Sequence, residues 1–362
     1  MTRPLVIGSG LAGSAAAIGL ARAGHPPLLV ERARETGDAI CGGFLSWQTL
    51  ATLDRLGLDA AELGGQKVTT VRLFAGRRTL ETPLPRAGMG LSRHRLDTLL
   101  LDHAERLGTA VERGVTIRRV GEGTAITADG ATLSSPAILL AVGKHGMAGH
   151  PRIPPAKVSA DPVIGLRLRI AASPAGERLV GEAVELFLFD RGYAGLVRQE
   201  DGSLNLCLAV HKSRLTEAGS RPDTLIEQWS AENPQLGERI VSADPVAPID
   251  AIASVPYGWR TKAGTAGLWR LGDQAACIPS LAGEGMGIAL ASAESAVAAW
   301  RRGESADSWQ KRFSDRLAGP MTLARAAWTI AESPLWASPA LSILRFSPAL
   351  LGLLARATRV PA

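Results

Sequence analysis

The sequence predicts an α/β fold with an inserted α+β unit, and three stretches of its 362 residues carry this prediction. Residues 4–31 have the pattern of a strand, a glycine-rich turn, a helix and a second strand. Residues 160–210 change to short strands of an antiparallel sheet, with Asp201-Gly202 as a hairpin turn. After residue 268 the pattern returns to a strand, a loop and an alanine-rich helix over about 285–301. The second unit therefore interrupts the first.

Composition excludes several classes of protein. The hydrophobic fraction of 46% and the charged fraction of 20% are typical of a globular chain. Three widely separated cysteines argue against a disulfide framework, and the basic residues lack the interleaved aromatics of a nucleic-acid surface. Residues 4–21 carry no charge, but their glycines and serines suit neither a membrane span nor a signal peptide. We expect a cytoplasmic protein without a metal site.

The glycine-rich turn has the spacing of a dinucleotide-binding motif, Gly8-Ser9-Gly10-Leu11-Ala12-Gly13. In such a motif the glycines make the tight turn, let the backbone approach a pyrophosphate, and pack the helix on the strand. The N–H groups at the helix start, among them those of Leu11 and Ala12, favour an anion. Glu31 ends the second strand, where an acid accepts from a ribose hydroxyl, and Arg32 follows it. The sequence therefore predicts a bound dinucleotide.

A second segment indicates which dinucleotide is bound. An apolar strand ends at Gly272-Asp273, and Gly283-Glu284-Gly285-Met286-Gly287 opens the long helix. Asp273 is an acceptor suited to a polyhydroxyl chain, and the helix start offers a partial positive charge. A flavin uses both features, because it has a ribitol chain and its reduced ring is negatively charged.

Several motifs together resemble one superfamily over residues 1 to about 300. It contains the p-hydroxybenzoate hydroxylase-type FAD monooxygenases, the geranylgeranyl reductases and the flavin-dependent halogenases. The resemblance implies FAD as the cofactor, Arg93 at its phosphate or ribitol, Asp273 at the ribitol, and Gly285 with Met286 near the pyrimidine edge. The motifs are Gly8–Gly13 with Glu31, Arg93-x-x-Leu96-Asp97-x-x-Leu100, and Gly272-Asp273 with Pro279 and Gly283–Met286; Cys41–Ser46 resembles a C-G-G/E loop of the reductase branch.

The resemblance also implies the domain organisation of a p-hydroxybenzoate hydroxylase-like fold. We expect a discontinuous Rossmann-like FAD-binding domain, an antiparallel β-sheet domain for the substrate, and a C-terminal helical segment. The prolines of that last segment are expected to break its helices. The predicted bounds are 1–65, 91–158 and 260–301 for the FAD-binding domain, 66–90 and 159–259 for the substrate domain, and 302–362 for the helices, with breaks at Pro320, Pro334, Pro339 and Pro348.

Two departures from the family patterns bear on the reaction. Where hydroxylases have a D-G pair associated with FAD and NAD(P)H contacts, this chain has Gly143-Lys144-His145-Gly146. NAD(P)H remains the expected external reductant. The reductases have Y-x-W-x-F-P in the substrate sheet, whereas this chain keeps only the tyrosine in Tyr193-Ala194-Gly195-Leu196-Val197-Arg198. We therefore expect a roomier pocket.

Three functional interpretations are compatible with these motifs. The leading hypothesis is a monooxygenase of secondary metabolism that uses molecular oxygen, through a C4a-hydroperoxyflavin, on a hydrophobic aromatic or polyketide-like small molecule. The alternatives are reduction of isoprenoid C=C bonds and a flavin-dependent dehydrogenase or inactive flavin-binding protein. Candidate catalytic residues are Cys41, Tyr193 and His145. Each has a structural alternative: a small buried hydrophobe, aromatic packing and a hydrogen-bonded turn, respectively.

The end of the chain is strongly apolar. Residues 333–362 contain three arginines and no acids. This pattern fits a helical lid over the core, and it also fits a peripheral membrane contact or an entry for a greasy substrate. The sequence leaves these interpretations open.

Overall fold

A computed structural model describes residues 3–150, 159–240, 245–253 and 255–360. The domain boundary predicted at residue 158 and the last two residues of the predicted helical segment lie outside these ranges.

The described residues form helices α1–α13 and strands β1–β18, numbered in chain order. The helices are α1 Leu11–Arg22, α2 Trp47–Arg55, α3 Ala60–Leu63, α4 Arg93–Arg106, α5 Pro174–Val180, α6 Lys212–Glu217, α7 Pro222–Glu232, α8 Pro234–Ile240, α9 Gly285–Arg301, α10 Ala306–Arg316, α11 Ala318–Ala331, α12 Pro334–Phe346 and α13 Pro348–Ala357. The strands are β1 Leu5–Ile7, β2 Leu28–Glu31, β3 Phe44–Leu45, β4 Gln66–Ala75, β5 Arg78–Gly90, β6 Ala110–Arg113, β7 Ile117–Gly121, β8 Thr124–Thr127, β9 Thr132–Ser134, β10 Ile138–Leu140, β11 Val163–Ile170, β12 Ala183–Phe189, β13 Gly192–Arg198, β14 Leu204–His211, β15 Asp250–Ile252, β16 Trp259–Arg260, β17 Leu268–Arg270 and β18 Ala276–Cys277.

A five-stranded parallel sheet positions the first half of the site. Its order is β17-β10-β1-β2-β6, and every neighbouring pair is parallel. The central strands β1 and β10 are short, apolar and fully buried, which is typical of a sheet covered on both faces. The carboxyl ends of β1, β2, β10 and β17 lie at one edge, where ligands bind in such sheets.

An eight-stranded sheet forms the second layer, in the order β15-β11-β14-β13-β12-β4-β5-β3. It differs from the predicted antiparallel sheet at one place, because β12 and β4 pair in parallel with Val184 opposite Val71. Two hairpin systems that are distant in the chain meet edge to edge there. The sheet also includes β3, which pairs with β5. Residues 1–65, which contain β3, were predicted to belong to the FAD-binding domain.

The two faces of the eight-stranded sheet have different roles, because side chains alternate along each strand. One face packs under α7 and α8 through stacked rings, with 4.5 Å between the centroids of Phe74 and Phe187 and 4.3 Å between those of Phe189 and Trp229. The other face carries Tyr193 and is turned towards the first sheet.

The C-terminal helices cover the open end between the two sheets. One of the predicted helix breaks is wrong, because Pro339 lies inside α12. The break predicted at Pro320 lies at Leu317, between α10 and α11, and Pro320 itself lies in the first turn of α11, which tolerates proline. Pro334 and Pro348 do start new helices. Within the described residues no single helix is long and apolar enough to cross a membrane, and α12 and α13 pass that test only as a pair bent by 114°.

Candidate active site

One continuous cavity of about 1230 Å³ lies between the carboxyl edge of the parallel sheet, the open face of the eight-stranded sheet and helices α11–α13. Ligand pockets usually measure about 300–1,000 Å³, so this volume suits more than one ligand. Among the residues predicted for the site, Gly13 and Gly287 are the two that do not line the cavity. The lining includes Gly8, Gly10, Leu11, Ala12, Glu31, Arg32, Cys41, Arg93, His145, Tyr193, Gly272, Asp273, Gly283, Gly285 and Met286.

The three motif glycines are required for different reasons. Gly8 has a φ of +99°, and a Cβ there would lie 2.5 Å from the Ala141 carbonyl oxygen. A Cβ at Gly13 would lie 1.8 Å from the Gly8 oxygen, so this residue serves helix packing and not direct ligand contact. Gly10 faces the cavity, where a Cβ would lie 3.5 Å from the Arg93 guanidinium. The space before Gly10 and the start of α1 therefore fits a phosphate group.

Glu31 is held at the end of β2 by the motif itself. Its carboxylate accepts hydrogen bonds from the Ser9 N–H at 2.8 Å, the Ser9 hydroxyl at 3.0 Å and the Ala33 N–H at 2.9 Å. Arg32 extends beside it and lies 2.6 Å from His145 Nε2. His145 is thus an exposed partner of Arg32, and this contact offers no support for the predicted role in proton transfer at the flavin ring.

Two cations lie close to Asp273. Arg93 is fixed by Asp97, to which it donates hydrogen bonds of 3.0 and 2.7 Å. Lys144 donates to the Ile40 carbonyl at 3.3 Å. Burial lowers the pKa of Lys144, but the nearby groups, Asp273 above all, more than offset this, so its pKa is raised and the ammonium is charged. Lys144 was not among the residues predicted for the site.

The start of α9 contributes a second opening towards the cavity. A Cβ at Gly285 would meet no atom within 4 Å, so the helix start is accessible to a ligand. Gly283 supports the turn before it with a φ of +61°. Gly287 was predicted to contact the cofactor, but a Cβ there would lie 2.3 Å from Glu284 Oε1, so this glycine instead makes room for the Glu284 carboxylate.

Glu284 connects this loop to the end of the chain, a contact that sequence reasoning missed. It is buried and forms an ion pair with Arg359, and it accepts from the Val360 N–H at 3.3 Å and the Ser46 hydroxyl at 3.4 Å. Arg359 also donates to the Gly283 carbonyl at 3.3 Å. The last described residues therefore hold the turn that precedes α9.

Two tyrosines and a serine form the polar centre of the cavity. Tyr193 and Tyr257 both contact Trp328, with ring centroids 5.4 and 5.2 Å apart, respectively. The Ser280 hydroxyl lies close to both phenol groups. Burial raises the pKa of each tyrosine above its ordinary value, so both hydroxyls are protonated at neutral pH and can donate hydrogen bonds.

Cys41 lies in a loop that the substrate sheet holds in place. Its carbonyl oxygen accepts from Asn205 Nδ2 at 2.9 Å and from the Cys207 thiol at 3.0 Å. Burial raises the pKa of Cys207 to about 12, so its thiol is protonated and acts as the donor. The half-buried Cys41 side chain itself lines the cavity, close to the charges of Arg93 and Lys144.

Beyond the tyrosines the cavity becomes apolar. One side is the open face of the eight-stranded sheet, and the other is made by α11, α12 and α13. Because few polar groups face this part, it suits a hydrocarbon chain. Its lining includes Val71, Leu73, Leu84, Val184, Leu186, Leu188, Ala327, Ile330, Ala340, Leu341, Leu344, Leu351 and Leu354.

Comparison with protein families and curated proteins gives one match over the first part of the chain and one over most of its length. Residues 1–134 match the family model described as FAD binding domain. The menaquinone reductase of Mycolicibacterium smegmatis is 26% identical over 351 residues, a match that covers 89% of this chain and 82% of the relative.

Solved structures share the whole fold. A flavin-dependent brominase superposes with a TM-score of 0.77 at 15% identity, over 99% of this chain and 93% of that one. A geranylgeranyl bacteriochlorophyll reductase-like protein from Thermoplasma acidophilum gives a TM-score of 0.75 at 17% identity, over 95% and 91% of the two chains. At such identities the likeness shows the fold alone, and it confirms the predicted two-sheet architecture.

Proposed function

We propose that this chain is an FAD-dependent oxidoreductase that hydroxylates an aromatic ring carrying a long apolar tail. The match of residues 1–134 to the FAD binding domain model and the fold shared with flavin-dependent enzymes support the cofactor. One observation carries the proposal. A single cavity leads from the FAD-binding residues, past two tyrosine hydroxyls, into an apolar channel under the C-terminal helices.

The charged end of the cavity fits FAD. Arg93, Lys144 and the start of α1 would hold its pyrophosphate, Glu31 its ribose and Asp273 its ribitol chain. Bound FAD, once reduced by an external donor such as NAD(P)H, supplies the two electrons with which O₂ is activated for attack on an electron-rich ring. In the net reaction a C–H bond becomes C–OH, and the second oxygen atom leaves as water.

The tyrosine pair would orient the aromatic head group. Tyr193 and Tyr257 are both protonated, so each can donate to a phenol or phenolate oxygen of the substrate. A donor at that oxygen fixes which ring carbon faces the flavin. It also favours the phenolate form, which is the more electron-rich one.

The apolar channel would take the tail and exclude water. Gly195 faces Leu186 across the sheet, and a Cβ there would already lie 3.4 Å from a methyl of Leu186. A larger side chain at Gly195 would therefore enter the cavity. A closed pocket that excludes water prevents side reactions of the activated oxygen species with water.

The proposal is tested with phenols of graded tail length. We expect oxygen uptake that depends on substrate, a product heavier by one oxygen atom, and lower KM as the tail lengthens. Gly195→Trp should raise KM for long-tailed phenols while leaving the tail-less phenol, the matched control, much less affected. Absence of substrate-dependent oxygen uptake with every phenol would refute hydroxylation.

Reduction of an isoprenoid double bond is the second candidate, because the curated relatives matching 89% of this chain are named menaquinone reductases. The two reactions differ in their need for oxygen. Under nitrogen, reduced enzyme should leave the prenyl double bonds of a prenylated quinone intact if hydroxylation is the reaction. Two hydrogens added to a prenyl double bond without oxygen, and retained after any quinol has been reoxidised to the quinone, would favour the second candidate.

A further inference from the structure

The C-terminal helices present an apolar surface that no described residue covers. On α12 the inward face packs Ala337 and Leu341 against the core. The opposite side is apolar too: Leu335, Trp336 and Phe346 are 82%, 65% and 89% exposed. A soluble helix is normally polar on the side that faces water. We call this surface the C-terminal apolar face; it consists of Leu335, Trp336, Ile343, Phe346 and Leu353.

The surroundings of this face are basic. Residues 333–362 contain three arginines and no acidic residue. Arg345 and Arg356 are exposed on the same helices, and Arg86 is exposed on β5, which contacts both helices. Glu332, at the end of α11, accepts a hydrogen bond from His211 at 3.1 Å. The charge therefore suits an anionic surface.

The face is continuous with the cavity. Ile330, Ile343 and Leu350 line the cavity and are also exposed to solvent. The apolar channel therefore opens among the residues of the face or next to them. A molecule leaving this opening meets hydrocarbon side chains first and arginines around them.

We propose that the C-terminal apolar face inserts into the surface of a bilayer that contains anionic phospholipids. The bent α12–α13 pair lies in the interface, as amphipathic helices do, and the arginines contact lipid head groups. A tailed substrate then passes from the bilayer into the channel without entering water. This last step rests on the proposed function, whereas the insertion does not.

Sedimentation of the FAD-loaded full chain with vesicles tests the insertion. We expect binding to vesicles of phosphatidylcholine with phosphatidylglycerol, weaker binding to phosphatidylcholine alone, and weakening by salt. Leu335→Ser and Phe346→Ser should each lower the partition coefficient about tenfold. Val246→Ser, at an exposed apolar residue elsewhere, is the matched control and should change nothing. Arg345→Glu should abolish the preference for anionic lipid, whereas Arg301→Glu should not.

The outcomes separate this inference from the proposed function. Leu335 and Phe346 do not line the cavity, so their variants should hydroxylate a short-tailed soluble phenol normally and lose turnover only with substrate in vesicles. Equal sedimentation of parent and variants, or no sedimentation, overturns the inference even if turnover is found. A dimer in light scattering that Phe346→Ser dissociates also overturns it, since the face would then join two copies. Vesicle binding without turnover would refute the function instead.

Discussion

Replacing Arg359 with methionine should destabilise the protein far more than removing any surface arginine. The side chains of Arg359 and Glu284 are 7% and 1% exposed, and the substitution leaves the Glu284 carboxylate buried with only Val360 N–H and Ser46 hydroxyl as partners. Breaking a buried pair by removing one partner costs about 3–5 kcal/mol. Arg55, which pairs with Glu294 at 2.9 Å on the surface, is the matched control, and Arg55→Met should cost about 0–1 kcal/mol.

The free energy of unfolding that Arg359→Met loses should also depend on pH, and the direction can be stated. Burial raises the pKa of Glu284, and Arg359 opposes this, so the substitution raises that pKa further. An acid whose folded pKa lies above its unfolded value loses stability as pH rises between the two values. The penalty of Arg359→Met should therefore be smaller at acidic than at neutral pH. Adding Glu284→Gln to Arg359→Met should recover much of the lost free energy of unfolding, because the buried group is then neutral.

Urea unfolding followed by circular dichroism, with flavin content measured in parallel, gives the free energies for this comparison. Because Arg359 holds the Gly283 turn, the single variant should also release FAD more easily. The reasoning is refuted if Arg359→Met costs no more than Arg55→Met, or if its cost is independent of pH.

Three further predictions concern the cofactor, the aromatic head group of the substrate, and the pair formed by His211 and Glu332. Asp273→Ala should weaken FAD retention by about 1.5–3 kcal/mol, since a charged acceptor is lost, and unchanged flavin content after dialysis would contradict this. Tyr193→Phe should lower the turnover of phenols. The pH–rate profile below pH 9 should keep every limb in this variant, because burial keeps the Tyr193 hydroxyl protonated in the parent. A limb that is present in the parent and absent from the variant would show instead that the Tyr193 hydroxyl titrates in this range. The hydrogen bond to Glu332 raises the pKa of His211, so its contribution to stability is complete below the unfolded pKa near 6.5 and is lost as pH rises through the folded pKa. The melting temperature of His211→Gln should lack that decline, and an identical pH dependence in both proteins would exclude this role.

Local patterns were enough to predict most of the residues that line the charged end of the cavity. The positions of Gly8, Gly10 and Glu31 depend on one strand, one turn and the next strand, which are neighbours in the chain. When functional residues lie on neighbouring elements of the chain, their spacing in the sequence is characteristic and can be recognised. The motif also predicts a glycine that packs the helix on the strand, which is the role of Gly13, whereas only the packing distances reveal that Gly287 makes room for the Glu284 carboxylate.

Contacts between distant segments could not be predicted in this way. The parallel pairing of β4 with β12 places Val71 opposite Val184. The sequence spacing between these two strands contains no signal that they pair. The ion pair of Glu284 with Arg359 joins a loop to the end of the chain. From the sequence, Arg359 was interpreted only as one of three arginines in an apolar segment. Lys144 became a candidate because the fold places it near Asp273.

The order of strands in the two sheets has a consequence for how this chain folds. The parallel sheet needs β17, so it cannot close until residues 268–270 have been synthesised, and β15 completes the other sheet at residues 250–252. Nascent chains shorter than this expose the unpaired edges of β10 and β11. Pairings between such distant segments make folding slow and intermediates prone to aggregation. Residues 1–134 alone, although they match the FAD binding domain, lack both β10 and β17 and should not fold as an independent unit.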